Sequence, residues 1–125
     1  MASRVRARHL LIDLVDVPRG VCLNLPAWED AFRSAATLTG MQILDYRGHF
    51  FQLPSEPGLT AFMLLDSSHF SVHTYADRGL VAVDLFACTD RDLQEAWDLV
   101  AKTLGLEDLN LNTVAYLDRF VEQRQ

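Results

Sequence analysis

The chain has 125 residues, enough for one domain with a buried core and too few for two domains of ordinary size. Half of its residues are hydrophobic and 22% are charged, the balance of a globular domain rather than a disordered chain. Eleven basic against seventeen acidic side chains leave a formal charge of −6, which speaks against a general nucleic-acid binder and suits a small or cationic ligand. No apolar run approaches the roughly 18 residues of a membrane span, so no membrane partner is expected. Arginines mark residues 1–9, but the apolar stretch that follows is broken by Asp13 and Asp16 and fits a strand better than a signal peptide. Two cysteines, Cys22 and Cys88, are too few for a disulfide scaffold or a usual structural zinc site, and the expected compartment is the cytoplasm.

Residues 9–16 form a strand candidate, ended by Pro18 and Gly20. From Pro26 the pattern turns helical, with Trp28, Phe32, Ala35 and Ala36 on one face and Gly40 as the stop. Residues 41–53 look extended, with an interruption near Arg47 and Gly48, and residues 54–58 are the clearest turn. Three strand-like segments follow, at 60–65, 69–75 and 79–88, the last two joined by a turn at Asp77, Arg78 and Gly79. A second helix is expected from a cap at Thr89 or Asp90, with Leu93, Ala96, Trp97, Val100, Ala101 and Leu104 as its apolar stripe and Gly105 as its end. Residues 108–115 supply a last strand before a short polar tail. The implied fold is α+β, a two-layer sandwich of a mainly antiparallel sheet with two helices on one face, in a single domain spanning 1–125. The uncovered face of such a sheet is often apolar, which makes a dimer plausible.

The chemistry concentrates between residues 58 and 90. On a strand, His69, Ser71 and His73 share a face. Two histidines at that spacing could bind a metal, but no third ligand is placed locally, and no metal is expected. A cysteine–histidine pair could also make a thiol nucleophile. Asp84, inside an apolar strand, needs a partner if buried and is either a hydrogen-bonding brace or a substrate contact. His9 and His49 read as structural, and Trp28 and Trp97 as core.

The pairs Ser68–His69 and His73–Thr74, then Gly79, then the run Asp84, Leu85, Phe86, Ala87, Cys88, together with Arg8-His9-Leu10 at the first strand, resemble the short prokaryotic form of the S-adenosylmethionine decarboxylase family. That resemblance implies a self-cleaving proenzyme with a pyruvoyl cofactor made from its own chain. An amino acid loses its carboxylate only if the carbanion is delocalised, and no ordinary side chain is an adequate electron sink. By resemblance, Ser68 attacks the carbonyl of Ser67 and an ester forms. Elimination then leaves a 1–67 β chain and a 68–125 α chain whose residue 68 becomes the pyruvoyl group, which condenses with the substrate amine. The resemblance makes His73 the base in processing, Thr60 the assisting hydroxyl, and Cys88, taken as a buried thiol, the acid that protonates the product carbon. It further implies that Phe50 or Phe51 stacks with His73 on the adenine, that Asp77 holds the ribose, and that the working unit is a homodimer of processed protomers.

Several positions depart from the family pattern. Ser67 stands where a glutamate is usual, Thr60 where a serine is usual, Tyr75 where a tryptophan is usual, and Asp77 is one methylene shorter than the family's glutamate. S-adenosylmethionine is the first substrate the resemblance implies, the product being an aminopropyl donor for spermidine and other polyamines. The alternatives are the same chemistry on arginine or ornithine, or an uncleaved binding or regulatory relative.

Overall fold

The computed structural model describes residues 7–52, 56–109 and 111–120. Pro54 and Ser55 of the expected turn, Leu53 and Asn110 of the expected extended segments, the first six residues, and the tail from 121 lie outside them. The elements in order are β1 (Ala7–Leu14), α1 (Arg19–Cys22), α2 (Leu25–Thr39), β2 (Ile43–Phe51), β3 (Gly58–Leu65), β4 (Ser68–Tyr75), β5 (Leu80–Ala87), α3 (Leu93–Leu104) and β6 (Leu111–Arg119). The strands form one sheet in the order β2-β3-β4-β5-β1-β6, and every neighbouring pair is antiparallel. The expected α+β architecture is therefore present, with α2 and α3 packed together over one face.

Alternation along each strand sorts the sheet into two surfaces. Leu59, Ala61, Met63 and Leu65 of β3, Phe70 and Val72 of β4, Val81, Val83 and Leu85 of β5, and Leu10, Ile12 and Leu14 of β1 point into the core. They meet Trp28, Phe32, Ala35 and Ala36 of α2 and Leu93, Ala96, Trp97 and Val100 of α3, all fully or almost fully buried. Edge-to-face packing of Trp28 on Phe32 continues to Phe70 through ring centroids 5.9 and 5.8 Å apart, so α2 is locked to the centre of β4. Among the described residues no helix covers the opposite face, which exposes Phe62, Leu64, Val114 and Leu117.

The helix ends follow from local chemistry. Asn24 accepts a hydrogen bond from the Ala27 N–H, Pro26 sits in the first turn of α2, and Gly40 closes it at φ +72°. Asp92, rather than Thr89 or Asp90, caps α3: its carboxylate accepts from the Gln94 N–H at 3.0 Å and from the Tyr116 hydroxyl at 2.6 Å. Those two donors, the Tyr116 hydroxyl first, hold the Asp92 carboxyl below the usual carboxylate range. Tyr116 also accepts from the Leu93 N–H, so a side chain of β6 completes the α3 N-terminus. A cap recruited from 24 residues away has no local sequence signal.

Several boundaries differ from expectation, β3 for instance beginning at Gly58 rather than Thr60. The first strand begins at Ala7 and ends at Leu14, and one helical turn, α1, follows Pro18 and runs through Gly20. Asp16 makes the reversal between them at φ +58°. β2 is continuous through Arg47 and Gly48, with its register shift earlier, between Ile43 and Asp45. Gly48 does not break the strand because it serves packing: a Cβ there would lie 2.6 Å from Leu25 Cδ1. β6 starts at Leu111 and continues to Arg119, since a turn closed by the Leu109 N–H on the Leu106 carbonyl occupies the start of the expected segment.

Candidate active site

The β3–β4 hairpin pairs Leu65 with Ser68, leaving only Asp66 and Ser67 in the turn. Ser67 has φ +63°, a left-handed conformation that costs a residue with a side chain about 1 kcal/mol. Ser68, only 6% exposed, opens β4 on the core side. β5 runs alongside and delivers Cys88 just beyond its last residue, where the Cys88 N–H donates to Ser68 Oγ at 2.9 Å. The Cys88 thiol faces the Ser67 carbonyl oxygen at 3.4 Å. One residue thus holds both sides of the Ser67–Ser68 peptide. Cys88 is exposed, which corrects the expectation of a buried thiol; the buried cysteine is Cys22, whose thiol burial pushes up out of the reactive range.

The other expected residues gather elsewhere. Thr60 and His73 are register partners on β3 and β4, with Thr60 Oγ1 and His73 Nδ1 hydrogen-bonded at 2.9 Å. They line a cleft of about 430 Å³ with Phe51, Glu56, Thr74 and Tyr75. His73 lies five positions along β4 from Ser68, about 16 Å at strand rise, so within one chain they do not meet. Of the two candidate aromatics, Phe51 is the one in the cleft. Phe50 alternates to the helix side and lines, together with Phe51, a neighbouring cavity with Arg19, Leu23 and Pro57. Asp77 is not among the cleft residues: it is ion-paired with Arg19 of α1.

Between these two ends, on the uncovered face, His69 is stacked between Phe62 and Phe86, with centroids at 5.3 and 5.6 Å and interplanar angles of 15° and 21°. Asp84 bonds His9 Nε2 and lies 3.7 Å from His69 Nε2, so it is a brace for two histidines, as one of its two expected roles required. Arg119 Nη1 approaches His9 Nδ1 at 3.3 Å. Arginine can only donate, so Nδ1 accepts and the His9 proton sits on Nε2, toward Asp84. His9 is thus held on both sides of its ring, an arrangement consistent with the structural role expected for it. His49 packs edge-on against Phe51. Among the described residues no cluster of three or more His, Cys, Asp or Glu side chains could hold a metal ion, and no helix is long and apolar enough to cross a membrane.

Fold and site together define a two-layer α+β domain with a strained serine–serine hairpin gripped by a cysteine at one end of the sheet and a threonine–histidine cleft toward the other. Residues 8–116 match the model of the family described as S-adenosylmethionine decarboxylase, and the chain belongs to that family. It is 28% identical over 109 residues to the S-adenosylmethionine decarboxylase proenzyme of Thermoanaerobacter sp. (strain X514), covering 86% of this chain and 85% of that one. It is 34% identical over 83 residues to the proenzyme of Fervidobacterium nodosum, covering 66% of this chain and 58% of the relative. In structure it resembles the adenosylmethionine decarboxylase of Aquifex aeolicus, with a TM-score of 0.77 at 22% identity over 98% of this chain and 97% of the other, a likeness of fold.

The sequence reading passed over Glu56 and Arg78. Arg78 donates through Nε to Glu56 Oε1 at 2.7 Å and through Nη2 to Oε2 at 3.0 Å, and its guanidinium lies 5.1 Å from the Tyr75 ring centre. Twenty-two residues separate the pair, and only the β3–β4 register brings them together.

Proposed function

We propose that this chain is a self-processing decarboxylase of S-adenosylmethionine, cut between Ser67 and Ser68 into a 1–67 β chain and a 68–125 α chain. The observation that carries this reading is the grip of Cys88 on the Ser67–Ser68 turn. Attack of Ser68 Oγ on the Ser67 carbonyl carbon puts negative charge on the carbonyl oxygen, and the Cys88 thiol already donates toward that oxygen. The Cys88 N–H orients the attacking hydroxyl. Strain at Ser67 raises the energy of the intact turn and is released as the backbone bond is exchanged for an ester. The missing glutamate at 67 takes away none of these contacts.

A pyruvoyl group fits this position because its carbon skeleton is that of residue 68 itself, already buried and bordered by Cys88. It supplies the electron sink for carboxylate loss, which no ordinary side chain provides. Cys88, exposed and beside residue 68, is the group able to return a proton to the substrate carbon. His73, with Thr60, is the base for processing and, with Phe51, the stacking platform for adenine. A second copy laid over the uncovered face supplies the Thr60–His73 end to the Ser68–Cys88 end; the exposed Phe62, Leu64, Val114 and Leu117 of that face support such a homodimer.

The relatives' names favour S-adenosylmethionine over arginine or ornithine, and the −6 charge suits its sulfonium cation as it would suit either of the other cations. Decarboxylated S-adenosylmethionine, the product, is an aminopropyl donor for polyamine synthesis. The retained Ser68, His73 and Cys88 favour catalysis over a purely binding role. The test is the mass of the purified protein under denaturing conditions. The expected result is two fragments split after Ser67, the second bearing the mass of a pyruvoyl terminus. Ser68→Ala is expected to stay whole. A wild-type chain that remains intact after long incubation overturns the reading.

A further inference from the structure

The cut proposed above removes what holds residue 68 in the intact chain. There its Oγ accepts from the Cys88 N–H and its nitrogen joins it to Ser67. In the proposed processing Oγ departs with Ser67 as part of a new carboxylate, and the nitrogen leaves as ammonia when water supplies the ketone oxygen. What remains is a chain end with one covalent link, the peptide bond to His69. Chain ends fray unless something ties them down, and a reacting group misplaced by about 1 Å can forfeit much of its rate.

His69 is tied down from several strands. It is the register partner of Leu64 in β3 and Phe86 in β5, and its ring lies flat between Phe62 and Phe86. Phe62 precedes the cut and Phe86 follows it, so the sandwich spans both pieces. The ring edge faces Asp84, which is itself bonded to His9, with Arg119 on the far nitrogen of that ring. The contacts on the Ser67–Ser68 peptide come instead from Cys88.

We propose that His69 is the positioning residue for the new chain end: its ring, clamped by Phe62 and Phe86 and faced by Asp84, keeps the ketone of residue 68 beside Cys88 after scission. The assignment rests on the self-processing reading above and concerns the step after the cut.

The test compares purified, self-processed wild type with His69→Gln, which loses the flat ring, and His69→Phe, which keeps it. Intact mass reads the cut, and turnover of S-adenosylmethionine gives kcat and KM. Phenylhydrazine, which condenses with a ketone to a coloured hydrazone and water, reads how open the chain end is. His69→Gln is expected to be cut, to lose roughly tenfold or more in kcat with KM within about twofold, and to form hydrazone about threefold faster or more. His69→Phe should bring both rates to within about threefold of wild type. Phe62→Leu should move both rates as His69→Gln does and add nothing further in that background, a coupling that general loosening does not produce; it carries the same readings if His69→Gln does not fold. Unchanged rates in His69→Gln, no rescue by His69→Phe, or a kcat loss that tracks a fall in sedimentation overturns the assignment alone. So does a folded His69→Gln chain that stays uncut, which places the residue before the cut. A wild type that stays whole, or forms no hydrazone, overturns the self-processing reading and the assignment with it.

Discussion

Ser67 is where local strain and proposed chemistry coincide. A serine at φ +63° in a two-residue hairpin is a position where glycine would be at ease. Placing Ser67→Gly in the Ser68→Ala background, so that both proteins stay uncut, is expected to stabilise the fold by about 1 kcal/mol in denaturant unfolding. With Ser68 restored, Ser67→Gly is expected to process more slowly than wild type, read as the half-time of cleavage by intact mass. A Ser67→Gly chain that cuts faster than wild type would show that strain is no part of the mechanism. At this scale the sequence was partly legible. Ser68, Thr60, His73 and Cys88 as the proposed chemical set could be read from the family pattern, but their grouping could not. Spacing along β4 already implied that Ser68 and His73 lie on opposite faces and five residues apart; what it lacked was the position of Cys88, whose exposure depends on where β5 stops.

Among the elements, the apolar stripes of α2 and α3 were readable because burial is periodic and glycine at φ near +70° ends both helices. Two of the failures share a cause, which is that partners distant in sequence took part in them; the α1 turn and the late start of β6 are local. Asp92 became the α3 cap because Tyr116 of β6 reaches it, and β2 ran through Gly48 because Leu25 needs the space. Glycines 48 and 58 make a test of this. A Cβ at Gly58 would lie 2.1 Å from the Thr74 carbonyl oxygen, a backbone atom fixed in β4, whereas at Gly48 it meets the mobile end of Leu25. Gly58 also opens a polar chain in which the Leu59 N–H donates to Thr74 Oγ1 and the Thr74 hydroxyl donates to the Cys22 carbonyl. In the uncut Ser68→Ala background, Gly58→Ala is expected to cost about 3 kcal/mol and Gly48→Ala less than about 1.5 kcal/mol in urea unfolding. Equal losses would mean that the β3–β4 contact yields as easily as a side chain.

For the whole molecule, the two half-sites lie at different points along β4, and the proposed dimer unites them. Co-expression of differently tagged Ser68→Ala and His73→Ala chains tests this directly. In a mixed dimer one composite site has an intact Ser68 from one copy and an intact His73 from the other. The His73→Ala chain is therefore expected to be cut in the mixed dimer, with about half the wild-type activity per dimer, and to remain largely uncut when expressed alone. No cleavage in the mixed dimer would place the whole reaction within one copy. The sequence suggested an apolar outer face only from the architecture, and it could not show that the face also carries the stacked His69 and its Asp84 brace, because those contacts span three strands.

The strand order has a further consequence for a chain severed after Ser67. Residues before the cut supply β1, β2 and β3; those after it supply β4, β5 and β6. In the sheet these are shuffled, since β3 borders β4 and β1 is inserted between β5 and β6. The two pieces are thus interlaced like clasped fingers, and neither can leave without dissolving the sheet. Before the cut, folding is the closure of a single thread; afterwards, reassembly is an encounter between two molecules and depends on their concentration. Scission so placed would act as a ratchet: refolding of the precursor would be a unimolecular event, whereas the cut form, once melted, would have lost the covalent memory of its own topology.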